Sequence, residues 1–74
     1  MIKLTSKQLA VIQASVKRNY QSYKKFEVVD ESTALCWLCH GSLVTVEIFI
    51  EGEEDKFVKI NTLFVCTECG NADN

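Results

Sequence analysis

Residues 34–41 read ALCWLCHG and residues 65–71 read VCTECGN. Each stretch sets two cysteines three apart, and together they form Cys36-x2-Cys39, a gap of 26 residues, and Cys66-x2-Cys69. Two such pairs can be a disulfide framework, a redox couple or a metal site. The residues between them favour the last. LVTVEIFI (Leu43 to Ile50) is rich in β-branched residues, with Val44, Val46, Ile48 and Ile50 on one face. EGEEDK is a polar turn containing Gly52, and FVKINTLFV (Phe57 to Val65) is a second strand. An antiparallel hairpin of this kind leaves one cysteine pair and returns to the other, so all four sulfurs converge. A tetrahedral ion at ~2.3 Å from each sulfur needs that arrangement. Glycine eases the tight turn behind each pair; Gly70 follows Cys69 directly, whereas Gly41 comes one residue later.

The residues CWLCHG and CTECG, bridged by a hairpin, resemble the four-cysteine class of the zinc-ribbon family. The resemblance covers about residues 33–71 and departs from the common pattern in lacking proline after the first cysteine of either pair. It implies one structural Zn2+ held by Cys36, Cys39, Cys66 and Cys69. Iron is the competing metal, since FVCTECG is similar to the second knuckle of rubredoxins. A four-thiolate site has no open position for water or substrate, so its ion would be structural. Its binding would supply folding free energy on the order of 10 kcal/mol. Two disulfides would suit a secreted chain. A thioredoxin-type couple needs a single pair at a strand-to-helix turn, and neither pair here precedes a convincing helix.

Seventy-four residues set the chain near the lower size limit for one hydrophobic core, where a metal staple is valuable. Upstream, LTSKQL marks a helix start. Thr5 and Gln8 have capping-box spacing, and Leu4 and Leu9 flank them as a hydrophobic staple. Leu9, Ile12, Val16, Tyr20 and Tyr23 continue at helical spacing, which predicts an amphipathic helix over 5–26. Segment 33–35 adds a short third strand to the hairpin. The expected fold is α+β: a single domain, 1–74, with one N-terminal helix packed on a small antiparallel β ribbon. So long a helix would overhang the sheet and free Tyr20, Tyr23 or Phe26 for a partner.

Charge is divided unevenly. Residues 1–25 hold six basic side chains (Lys3, Lys7, Lys17, Arg18, Lys24 and Lys25) and no acid, whereas residues 26–74 hold two lysines against ten acids. On a helix over 5–26, Lys7, Arg18 and Lys25 share one ridge, with Lys17 and Lys24 beside the apolar stripe. That ridge reads first as a solvated face and second as a surface for nucleic acid or an acidic protein patch. Trp37 reads as a lid packed on the helix or as an aromatic contact for a partner, and His40 as a surface side chain of the knuckle. The acidic turn matches no calcium loop.

One histidine, no nucleophile–base pairing and no phosphate-cradling glycine loop argue against an enzyme and against a small-molecule substrate. Small stand-alone zinc ribbons that resemble this chain often attach to transcription or translation machinery, and the resemblance implies the same kind of role. The expected function is therefore a zinc-stabilised protein-interaction module, a regulator or inhibitor docking on a larger machine. Nucleic-acid binding through the basic helix face is the alternative, disfavoured by the net charge of −2. The longest early apolar run, Leu9 to Ile12, is too short for a signal peptide, and no stretch approaches a membrane span. A reducing cytoplasm is the expected compartment.

Overall fold

A computed structural model describes residues 4–73, the side chains of 32 and 33 excepted. Lys3, counted above among the bases, lies outside the described residues. The fold is α+β: helix α1 (Ser6–Asn19) followed by strands β1 (Lys25–Leu35), β2 (Ser42–Glu51), β3 (Phe57–Cys66) and β4 (Ala72–Asp73). All four strands join one antiparallel sheet in chain order.

The helix begins where its capping box is written. Thr5 Oγ1 accepts from the Gln8 N–H at 3.1 Å, and Gln8 Oε1 accepts from the Thr5 N–H at 3.0 Å. It ends far short of residue 26. Asn19 turns its side chain back to donate to the Ser15 carbonyl at 2.8 Å, and Tyr20 leaves the helical region at φ −138°, ψ 91°. Two forces compete over residues 20–28, and the strand wins. Phe26, Val28 and their neighbours favour extended backbone, and β2 offers them a complete ladder from Lys25↔Phe49 to Val28↔Val46. The helical spacing of Tyr20 and Tyr23 was a coincidence of a returning chain. Both, with Phe26, still pack against the core, so none of the three overhangs it. The third strand is accordingly 11 residues long rather than three.

Period-two alternation on β2 and β3 builds the core. Val44, Val46 and Ile48 of β2 and Leu63 and Val65 of β3 are fully buried on one face, opposite Ile12 and Val16 of α1. Leu9, placed on the same stripe, is 43% exposed at the margin. A hydrogen bond between Asn61 Nδ2 and the Tyr20 hydroxyl pins the chain after the helix to β3. The hairpin turn is a short 3-10 segment (Glu53–Asp55), in which Glu54 and Asp55 adopt left-handed backbone at φ 58° and 59°.

Ser15 sits buried among these apolar side chains, and its Oγ has no hydrogen-bond partner among the described residues. Desolvating an unpaired hydroxyl is unfavourable, and alanine is the better helix former. Ser15→Ala should therefore stabilise the fold by about 1 kcal/mol. Urea denaturation of the two proteins would measure this; a less stable variant would show that the hydroxyl contributes a favourable contact.

Candidate metal centre

The two knuckles are backbone copies of each other. In the first, the His40 N–H donates to the Cys36 carbonyl at 2.8 Å and the Cys36 N–H to the Gly41 carbonyl at 2.9 Å. In the second, the Gly70 N–H donates to the Cys66 carbonyl at 3.1 Å and the Cys66 N–H to the Asn71 carbonyl at 2.9 Å. The internal repeat legible in the sequence is thus a repeat of hydrogen bonding. Register mates the two: Leu35 pairs with Ser42, Leu43 with Cys66, and the Thr67 N–H donates to the Ser42 carbonyl at 2.9 Å.

These ties bring the four cysteines together, with every Sγ within 4.8 Å of the others. Cys36 Sγ lies 3.6 Å from Cys69 Sγ, and Cys39 Sγ 3.4 Å from Cys66 Sγ. A tetrahedron of sulfurs about an ion at ~2.3 Å has edges of about 3.8 Å, so the sulfur cage fits a metal with little movement. Cys36 and Cys66 are buried, Cys39 and Cys69 exposed. The cluster on its small antiparallel sheet is a zinc-ribbon-like site able to hold a metal ion, and the soft thiol set is consistent with zinc.

Backbone donors also reach the sulfurs. The Glu68 and Cys69 N–H groups each point at Cys66 Sγ from 3.4 Å. As free thiols the groups share protons unequally. Desolvation opposes ionisation of Cys66, yet those two N–H groups and the neighbouring thiols draw it down to about 7. The Gly41 N–H favours a Cys39 thiolate, but the Cys66 and Cys69 sulfurs and desolvation outweigh it and push Cys39 up to about 12. The Asn71 N–H likewise favours a Cys69 thiolate and is outweighed by desolvation and by the Cys66 and Cys36 sulfurs, so Cys69 is raised. Among these three thiols Cys66 ionises most readily, and Cys39 and Cys69 hold their protons more tightly.

The positive-φ position is filled differently in the two knuckles. Gly70 holds φ 76° in the second, whereas in the first the equivalent residue is His40, at φ 61°. Gly41 serves another purpose: a Cβ there would lie 2.9 Å from Cys66 Sγ and 2.8 Å from Glu68 Cγ. The late glycine is a close-approach glycine, and His40 carries the strain.

Helix α1 seats on the second knuckle. Arg18 Nη2 donates to the Gly70 carbonyl at 2.9 Å, and the Val11 side chain stands 3.4 Å from where a Gly70 Cβ would project. Arg18 is therefore engaged in the fold. The basic ridge expected of a longer helix does not form: Lys7, Lys17 and Arg18 are on α1, but Lys24 follows it and Lys25 opens β1. Lys24 pairs with Glu51 at 3.4 Å, and Lys25 with Glu27 at 3.2 Å, its ammonium over the rings of Phe49 and Phe57. Lys7 and Lys17 stay exposed.

Trp37 is not a lid on the helix. It is 75% exposed and borders a cavity of about 250 Å3 with Ala34, Cys36, Leu43, Phe64, Asn71 and Asp73. Phe64 lies between the inward Leu63 and Val65, so this cavity opens on the face away from α1. Leu35 and Leu38, 60% and 56% exposed, extend the apolar surface around the knuckle. The residue-level signal for Phe64 was its place on the outward beat of β3; Leu35 and Leu38 carried none. Comparison with known protein families, with curated proteins and with solved structures finds no match to this chain.

Two predictions follow from the knuckle geometry. Non-glycine residues in left-handed backbone are strained, so His40→Gly should stabilise the first knuckle by roughly 0.5–1 kcal/mol. Gly41→Ala, which displaces the Cys66 sulfur, should cost about 2 kcal/mol or more. Chelator competition would rank the three proteins, and equal retention of metal in Gly41→Ala would contradict the close-approach reading. Thiolate ligation also requires proton release on loading, with retention declining as pH falls below about 7. A pH-indicator titration would detect those protons, and retention unchanged down to about pH 4 would exclude a four-thiolate site.

Proposed function

We propose that this chain is a zinc-stabilised protein-interaction module. Cys36, Cys39, Cys66 and Cys69 hold one structural Zn2+, and the apolar surface of the first knuckle docks on a protein of a larger assembly, where the chain acts as a regulator or inhibitor. The observation that carries the reading is the exposure of Trp37 on a knuckle closed by two backbone hydrogen bonds. A large exposed aromatic side chain offers extensive apolar area to a partner, and tryptophan is enriched among residues that dominate interfaces. Four thiolates complete the zinc coordination and leave no place for a substrate, so the reading includes no catalytic step.

Nucleic-acid binding is the weaker reading. Three of the five described cations of the expected basic surface, Arg18, Lys24 and Lys25, are engaged within the chain. No helix among the described residues is long and apolar enough to cross a membrane. A reducing cytoplasm suits ligands that must stay as thiolates.

Native mass spectrometry and elemental analysis of the reduced protein should find one zinc per chain. A strong chelator should abolish the sheet signals in circular dichroism and NMR, and Cys→Ala at any one ligand should do comparable damage. A folded chain without bound metal, or one carrying iron, would refute the zinc assignment.

A further inference from the structure

The outer face of the sheet carries an ordered pattern of charge around its apolar patch. Register aligns Asp30, Thr45, Phe64 and Asp73 in one row across β1, β2, β3 and β4. Residues directly opposite one another share a face, so an acid stands at each end of the row that holds Phe64. The next row away from the knuckles pairs Glu27, Glu47 and Thr62. Toward the knuckles the row gives way to Leu43, Trp37 and the cavity, with Asp73 on its lining. Lys24, Lys25 and Lys59 are bonded into this face at the far end of the sheet, where they answer Glu51, Glu27 and Glu47. A zinc-loaded cage of four thiolates would add a net charge of about −2 beside the cavity.

We propose that this face binds a basic segment of a partner protein, one apolar side chain of which enters the cavity between Trp37 and Phe64 while flanking lysines or arginines face Asp30 and Asp73. This deepens the reading of the chain as a zinc-held interaction module and rests on it. Size selects the occupant. The cavity, about 250 Å3, falls below the roughly 300–1,000 Å3 of small-molecule sites and accommodates a single side chain. Charge selects its neighbours: acids on both sides of an apolar centre steer a cationic chain toward the patch and repel a polyanion. The helix takes no part, because it covers the opposite face and its Arg18 is committed to Gly70.

Trp37 is the sole tryptophan, so its emission reports directly on the patch. The test uses the zinc-loaded full chain, first checked for one bound zinc, a dispersed NMR spectrum and a monomeric sedimentation coefficient. Failure of the zinc or the spectrum at that step refutes the module reading, whereas a stable dimer covering Trp37 overturns this proposal alone. The probes are the peptide Lys-Arg-Lys-Leu-Phe-Lys-Arg-Lys, its charge-reversed counterpart Glu-Asp-Glu-Leu-Phe-Glu-Asp-Glu, and single-stranded oligothymidine.

The basic peptide should shift Trp37 emission to the blue, saturably, and move the amide resonances of Ala34, Leu43, Phe64 and Asp73. Phe64→Thr and Asp73→Lys should each weaken it about tenfold, a loss equivalent to about 1.4 kcal/mol, with zinc content unchanged. The absence of any shift in zinc-loaded, folded protein would overturn the proposal. So would equal response to the acidic peptide, tighter binding of oligothymidine, or resonance changes confined to α1.

Discussion

Everything in this molecule depends on the convergence of four sulfurs at one end of a hairpin. Neither knuckle could hold an ion alone, and the hairpin cannot choose their separation freely. The Leu43↔Cys66 register and the Thr67–Ser42 hydrogen bond place the second knuckle against the start of β2, where the first knuckle ends. A slip of one residue along β2 and β3 would turn Val44, Val46, Leu63 and Val65 toward solvent and move Cys66 off the cage. The alternation that buries the core and the spacing that assembles the thiols are thus one constraint. Metal chemistry and hydrophobic burial select the same register.

The same backbone device is used for two different ends. The second knuckle faces inward: Gly70 is buried, Val11 packs beside it, and Arg18 bonds to its carbonyl. A side chain at position 70 would keep the helix away. The first knuckle has His40 at that place and Trp37 and Leu38 within its loop, all three exposed. Helix docking on one copy leaves the other free. Apolar side chains on the free copy cannot contribute to this chain's own core, and the strain at His40 adds no contact to it either. Their presence is understandable if the surface they form is covered by something else.

What could be read beforehand follows the range of the forces involved. The helix start, at Thr5 and Gln8, is a contact three residues apart and was legible. So were the hairpin, through strict alternation, and the cysteine cluster, through spacing that few other chemistries need. The helix end was not. Tyr20 and Tyr23 keep helical spacing, and only the ladder that β2 offers to residues 25–28 shows why the chain leaves the helix early. Long-range pairing overrode a local pattern. The lid reading of Trp37 fails for a related reason: which face of a sheet a knuckle leans toward is decided by where the helix docks, and Arg18 and Gly70 lie 52 positions apart.

Shortening the helix also changes what its charge means. A helix to residue 26 would line Lys7, Arg18 and Lys25 along one continuous positive edge, an arrangement suited to a phosphate backbone. Ending it at Asn19 sends Lys24 and Lys25 to carboxylates on the strands and leaves Lys7 and Lys17 as exposed cations on the helix. Exposed ion pairs of this kind contribute little stability, but they remove the cations from any outward-facing array. The negative field of the sheet is then the larger unbalanced feature. The side of the protein that carries it also presents Trp37 and Phe64, so the proposed interface combines apolar and electrostatic attraction on one face.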